Sequence, residues 1–146
     1  VALFIAMFLS PKITLAVWLG TTVGFQLAGF APVVVARAAS QLVFALAGSI
    51  WLQRHPHTLD KPASNLCFGL ATGLLHGVME VAVVLPFYFS GSMAQANYDK
   101  GFAVSVLLLV GLGTVVHSMV DCWLAQVIYK PVSHMPQVKQ IAAVRL

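Results

Sequence analysis

Apolar residues fill five stretches of the chain, and short connections rich in polar and helix-breaking residues separate them. The five segments cover residues 1–9, 13–30, 33–53, 64–89 and 101–129. Apolar runs of this kind, bounded by turn signals, indicate helices. The last three are long enough to cross a bilayer, whose hydrocarbon core needs roughly 20 helical residues. The pattern predicts an all-α fold, an integral membrane helical bundle.

The first segment is too short to cross a membrane, and it starts without a methionine or a basic flank. We therefore expect it to be the end of a helix that begins upstream. This interpretation predicts six transmembrane helices, of which five are visible in the chain. It also predicts one transmembrane domain over residues 1–130, with its first helix missing upstream, and a short cytoplasmic tail over residues 131–146.

Composition supports the membrane class and excludes a soluble domain. Hydrophobic residues make up 60% of the chain and charged residues only 8%, whereas about a quarter of the residues in soluble domains carry charge. A soluble core could not bury so much apolar surface in a chain of 146 residues. No basic patch is interleaved with aromatic residues, so nucleic-acid binding is not predicted.

The basic residues fall on one side of the membrane if each segment crosses once. That side holds Lys12, Arg54, Lys61, Lys130, Lys139 and Arg145, whereas Lys100 lies opposite. By the positive-inside rule the basic side is cytoplasmic. We therefore expect a multi-pass protein of the plasma membrane with a cytoplasmic C-terminus. Tyr129 is expected at the inner interface and Tyr88 at the outer one, where Tyr88 is either an anchor or a wall for an aromatic ligand.

Two of the apolar segments carry a histidine and a carboxylate one helical turn apart. These pairs are His76 with Glu80 and His117 with Asp121. Charge at the bilayer centre costs about 2.5–3.5 kcal/mol per residue on insertion scales, so such groups usually face the bundle interior and mark a substrate path. The four side chains are therefore candidates for a binding site.

Arg37 and Gln41 add polar groups one turn apart on the third segment. At 1.5 Å per residue, Arg37 lies roughly 8 Å and Glu80 roughly 13 Å below the outer ends of their helices. This similar depth predicts that the two side chains are partners. We expect Arg37, Gln41, His76 and Glu80 to line a pocket that opens outward.

The second pair leaves two interpretations open. His117 and Asp121 either extend the outward pocket or tie the last helix to its neighbours through hydrogen bonds, each worth about 0.6 kcal/mol. A metal site formed by both pairs is a further alternative, but the pairs differ in expected depth. Cys67 and Cys122 have no CxxC neighbour and are expected to be buried thiols. No metal and no cofactor is predicted.

Motifs of soluble catalysis are missing from the sequence, so an enzyme is not predicted. The chain has no Walker lysine loop, no GxSxG and no HExxH. Its loops are also too short for a soluble catalytic domain. Active transport would therefore need energy from an ion gradient or from other subunits.

Three stretches resemble the substrate-binding S-component of an energy-coupling-factor (ECF) vitamin transporter. They are FIAMFLSPKITLAVWLGTTVGFQLAGF, ARAASQLVFALAGSIWLQ and HGVMEVAVVLPFYF, and the similarity runs over roughly residues 2–125. The resemblance implies a protein of six helices that binds a vitamin on its outer side. It also implies a transmembrane coupling subunit and two ATPase subunits as partners.

Among S-components the sequence is most similar to niacin-type and cobalamin-type members. In a niacin-type protein, Arg37 could receive the nicotinate carboxylate, because a planar guanidinium suits bidentate recognition. The predicted function is therefore capture of a vitamin for ATP-driven uptake. The alternative hypothesis is a proton-coupled secondary transporter or channel that uses the histidines and carboxylates inside the membrane.

Overall fold

The computed structural model describes residues 1–144, which form helices joined by short turns. The α-helices are α1 Ala2–Leu9, α2 Pro11–Leu27, α3 Pro32–Arg54, α4 Pro62–Phe89, α5 Gln95–Asp99, α6 Gly113–Val132 and α7 Pro136–Ile141, and a π-helical segment, Ala103–Leu112, leads directly into α6. Within residues 1–144, three helices are long and apolar enough to cross a membrane, namely Pro32–Arg54, Pro62–Phe89 and Ala103–Val132. The predicted all-α membrane bundle is confirmed.

Helix boundaries follow the breaker residues of the sequence. A proline stands in the first turn of α2, α3, α4 and α7, where its missing N–H removes no intrahelical bond. Ser10 caps α2, since its Oγ accepts a hydrogen bond from the backbone nitrogen of Ile13 at 3.3 Å. The proposed sixth transmembrane helix, which would lie upstream, stays a prediction.

The π-helical segment differs from the single α-helix expected over residues 101–129. Its hydrogen bonds span one residue more than those of an α-helix, a geometry often found near functional sites. The segment ends at Leu112, and Thr114 two residues later is buried. Apolar patterning missed this change because both helix types place apolar residues on a broad face.

α4 is the centre of the bundle. It packs against α3 on one side and against the π-helical segment and α6 on the other. Two glycines allow the second approach: a Cβ at Gly77 would lie 2.9 Å from the backbone oxygen of Gly111, and one at Gly73 would lie 3.2 Å from that of Val115. The four-residue glycine spacing thus acts in packing within the bundle, as expected for small residues between membrane helices.

Two apolar clusters close the ends of the bundle. The larger one joins the end of α1, the second half of α3, the start of α4 and the end of α6, and includes Phe8, Leu52, Phe68 and Ala125. The smaller one, around Val84, Val106 and Val110, lies at the opposite end. Five basic residues lie at or next to helix ends on the side of the larger cluster: Lys12, Arg54, Lys61, Lys130 and Lys139. Arg145 lies outside the described residues.

The predicted tail, residues 131–146, folds back onto the bundle as far as it is described. α6 continues through Pro131, and α7 then leads the chain to the end of α1. There the backbone nitrogen of Ala143 donates to the oxygen of Leu9 at 2.7 Å, so the tail satisfies a carbonyl left unpaired at the C-terminal end of α1. Tyr129 donates to the oxygen of Val144 at 2.9 Å and is buried.

Tyr129 and Cys67 therefore differ from expectation. Tyr129 was expected at the lipid interface, but the returning tail covers it. Cys67 was expected to be buried and is exposed, whereas Cys122 is buried as predicted. Periodicity places a residue on a helix but does not state which helix face a neighbour covers.

We expect Gly77→Ala to destabilise the protein because the new methyl group would meet the backbone of Gly111. Overpacking of this kind costs about 1–3 kcal/mol. The measurement is thermal unfolding of the purified protein in detergent. Gly69→Ala is the matched control on the same helix, since a Cβ there meets nothing within 4 Å; equal unfolding temperatures for the two variants would contradict the close approach.

Candidate functional site

A cavity of about 300 Å³ lies between α1, α2, α3, α4 and α6. Six of the seven predicted site residues line it: Arg37, Gln41, His76, Glu80, His117 and Asp121. These side chains come from three helices that are far apart in sequence. The structure therefore brings both histidine–carboxylate pairs to one cavity, together with the arginine and the glutamine of α3.

Arg37 and Glu80 form an ion pair that joins α3 to α4. The Nε of Arg37 donates to Oε2 of Glu80. The glutamate side chain is only 3% exposed, while the arginine is 41% exposed. A buried carboxylate is costly unless a cation and hydrogen bonds compensate for its lost hydration. The guanidinium therefore supplies the cation that this buried carboxylate needs, and the half-exposed arginine side chain also lines the cavity.

His76 extends this pair towards α6. Its Nδ1 lies 2.7 Å from the hydroxyl oxygen of Ser118, and its Nε2 lies 3.4 Å from Oε1 of Glu80. The imidazole stacks on Phe44 with ring centroids 4.2 Å apart. Three contacts from three helices thus fix the ring. The result is a continuous polar row of Ser118, His76, Glu80 and Arg37 across the bundle.

His117 and Asp121 lie on the α6 side of the same cavity. Nε2 of His117 is 3.5 Å from Oδ2 of Asp121, and the histidine side chain is 69% exposed while the aspartate is 18% exposed. Both side chains line the same cavity as Arg37 and Glu80, and the interpretation in which this pair extends the binding pocket stays a prediction.

Sequence reasoning missed several residues that line the cavity, although helical spacing carried the signal for most of them. Phe44, Thr114 and Ser118 line it together with the predicted residues. On α6 the lining residues follow the spacing of one helix face, at 114, 117, 118 and 121, and on α3 they stand at 37, 41 and 44. Trp18 and Thr21 of α2 also line the cavity. No charged residue lies one turn away on α2 to indicate that this helix face belongs to a site.

Tyr88 is the one predicted site residue that the structure does not bring to the cavity. Its ring packs against Tyr98 and Phe102, with centroids 5.0 and 5.5 Å away. Tyr88 and Phe102 pack against the smaller apolar cluster, at the end of the bundle that holds the 90–102 connection. Tyr88 therefore packs this connection against α4, and we leave it out of the proposed site.

The metal alternative finds no ligand group in the part of the chain that the structure describes. Within residues 1–144, no three histidine, cysteine or carboxylate side chains are grouped as a metal ion would require. The carboxylate of Glu80 is instead engaged by Arg37. The polar row is thus an ion pair with hydrogen-bonded neighbours.

A second, smaller cavity of about 190 Å³ adjoins the first. Phe25 and Val34 line it near the turn between α2 and α3, together with Arg37, Gln41 and Glu80. Since the last three side chains also line the larger cavity, the ion pair stands between the two spaces.

Comparison with known proteins points to one class of membrane protein. The niacin transporter NiaX of Lactococcus lactis subsp. cremoris (strain MG1363) is 37% identical to the chain over 120 residues, or 82% of the chain. The chain is similar to this niacin transporter over that stretch. The predicted resemblance to an ECF S-component is thereby confirmed, and the similar protein is a niacin transporter. The aligned region spans about half, 53%, of the length of that transporter. No family profile and no solved structure matches the chain.

A double-mutant cycle tests whether Arg37 and Glu80 depend on each other for stability. Arg37→Gln leaves a buried carboxylate without its cation and should destabilise the protein strongly, because breaking a buried pair costs about 3–5 kcal/mol. Adding Glu80→Gln should recover part of the loss, with a coupling energy of about 1–3 kcal/mol. Thermal or denaturant unfolding in detergent measures both effects, and strictly additive losses would contradict the pair.

Proposed function

We propose that the chain is the membrane-embedded, substrate-binding part of an ECF-type transporter and captures niacin at the outer face for ATP-driven uptake. The observation that supports this most directly is the arginine-bearing cavity inside a bundle related to a niacin transporter. The protein acts by binding and has no catalytic role of its own.

The cavity suits a small, flat acid. Its volume of about 300 Å³ is at the lower end of the range for ligand pockets, which favours niacin over the much larger cobalamin. Phe44 and Trp18 offer aromatic faces for a pyridine ring, and Arg37 offers a planar donor fork for a carboxylate. Thr114 and Ser118 line the same cavity, and their hydroxyls offer hydrogen-bond donors for a ring nitrogen.

The proposed partners are a transmembrane coupling subunit and two ATPase subunits, together with the vitamin and the lipid bilayer. Two observations favour a shared energy source outside the chain: the loops are short, and the sequence contains no nucleotide-binding motif. Co-purification with a tag on this chain would test the assembly. Retention of a coupling subunit and two ATPases is expected, and a chain that purifies alone from mild detergent would argue against the assembly.

The proposed location is the plasma membrane. In the proposed orientation, the basic end of the bundle and the C-terminus lie on the cytoplasmic side. Five basic residues lie near that end, and Lys100 lies near the opposite one. The cavity that adjoins the turn between α2 and α3 then faces outward. The alternative of a proton-coupled secondary transporter is not favoured by the comparison with a niacin transporter.

We expect Arg37→Ala to weaken nicotinate binding by about tenfold to a hundredfold, because a charge-assisted hydrogen bond contributes about 1.5–3 kcal/mol. Nicotinamide has no carboxylate, so its affinity should change by less than about threefold. Equilibrium binding to the purified, folded protein measures both ligands. Arg54→Ala, at the other end of α3, is the matched control and should leave both affinities unchanged. Folded wild-type protein that binds neither ligand at micromolar concentration would refute the proposed function.

A further inference from the structure

The guanidinium that the proposed function assigns to the ligand already has a carboxylate partner. Arg37 donates to Oε2 of Glu80, and the other oxygen of Glu80 faces His76. Glu80 therefore occupies the place that the carboxylate of niacin would take. This inference rests on the proposed function and concerns how an anionic ligand enters a site that holds its own anion.

Charge balance makes a simple addition of the ligand unfavourable. Arg37 and Glu80 together carry no net charge, and a bound carboxylate would add one negative charge beside a glutamate that is only 3% exposed. An uncompensated charge in a buried site is costly, and like charges repel strongly where water is excluded. A second positive charge in the polar row would restore neutrality.

His76 is placed to carry that charge. Its Nε2 is buried, has no hydrogen-bond partner among residues 1–144 and lies 3.4 Å from Oε1 of Glu80. Its Nδ1 contacts the hydroxyl of Ser118, which both donates and accepts, so this contact persists when the imidazole gains a proton. The stacked face of Phe44 also favours a cation.

The other titratable groups of the cavity are already compensated or hydrated. His117 and Asp121 face each other on α6, and the His117 side chain is 69% exposed. Among the described residues that line the cavity, those of α2 carry no titratable side chain, and α3 contributes Arg37 alone.

We propose that the site takes up one proton with each carboxylate ligand. The ligand replaces Glu80 on Arg37, Glu80 turns to His76, and His76 binds a proton from solvent at its free nitrogen. One anion and one proton enter together, and no covalent bond changes apart from the new N–H bond. The buried row then holds two cations and two anions in place of one of each.

The two cavities supply the space for this exchange. Arg37, Gln41 and Glu80 line both of them, so the ion pair separates the smaller cavity near the turn between α2 and α3 from the larger one. When Glu80 turns towards His76, this separation opens on the side of the smaller cavity. The same movement that frees the guanidinium thus opens a path to it.

Calorimetric titration of the folded protein with nicotinate, in buffers of different ionisation enthalpy, counts the protons directly. We expect uptake of about one proton per nicotinate and none with nicotinamide. A carboxylic acid ligand is ionised between about pH 6 and 8. Because one proton is taken up on binding, we expect the nicotinate Kd to increase as the pH rises through this range, by up to about tenfold per pH unit. Nicotinate binding without proton uptake would overturn this inference and leave the proposed function standing.

Three variants locate the exchange. Glu80→Gln frees Arg37 and removes the competing anion, so we expect nicotinate to bind at least as tightly, with no proton uptake. His76→Gln should also abolish the uptake, and it should weaken binding. Asp60→Asn is the matched control, since it neutralises a carboxylate that pairs with His57 at an exposed turn outside the cavity, and it should retain uptake of one proton.

Three results would contradict the proposed exchange. A tenfold or greater loss of nicotinate affinity in Glu80→Gln would show that the glutamate contacts the ligand and does not compete with it. Proton uptake that persists in His76→Gln would remove His76 from the exchange. Folded wild-type protein that binds no nicotinate would overturn this inference together with the proposed function. Unfolding temperatures of all variants, measured alongside, confirm that each is folded.

Discussion

Glu80 is almost completely buried in the central helix of a membrane bundle, and the arrangement around it follows from the need to compensate its charge. Arg37 supplies the cation from α3, and His76 approaches the second carboxylate oxygen from one turn earlier on α4. Each partner must sit at the right depth on its own helix, since water is not available to replace it. The ion pair thus sets the register between α3 and α4.

Close helix packing is the second requirement of the site. Gly73 and Gly77 stand on α4 next to His76 and let the backbones of α6 and the π-helical segment approach. This approach brings Ser118 within hydrogen-bond distance of the histidine. The glycines and the polar residues therefore belong to one arrangement: the same helix offers a small surface to one neighbour and a charged one to the other.

The sequence allowed a good part of this arrangement to be predicted. Helix bounds followed from prolines and polar turns, and the pairing of Arg37 with Glu80 followed from their depth. Ser118 and Thr114 were missed, although they share a helix face with His117 and Asp121. Tyr88 was placed in the site because aromatic residues near a helix end serve either as anchors or as ligand contacts. Its neighbours Tyr98 and Phe102 come from a connection whose path no periodicity describes.

Apolar run length, breaker residues and the cost of charge in lipid determine, from the sequence alone, that the chain is a membrane helix bundle with an internal polar site. These are local properties, because each depends on residues close together along one helix. Tertiary structure alone decides that both histidine–carboxylate pairs meet in one cavity and that the returning tail covers Tyr129. It also decides that the guanidinium of Arg37 is already paired with Glu80. Those features depend on which helix faces touch, and contacts between distant segments set them.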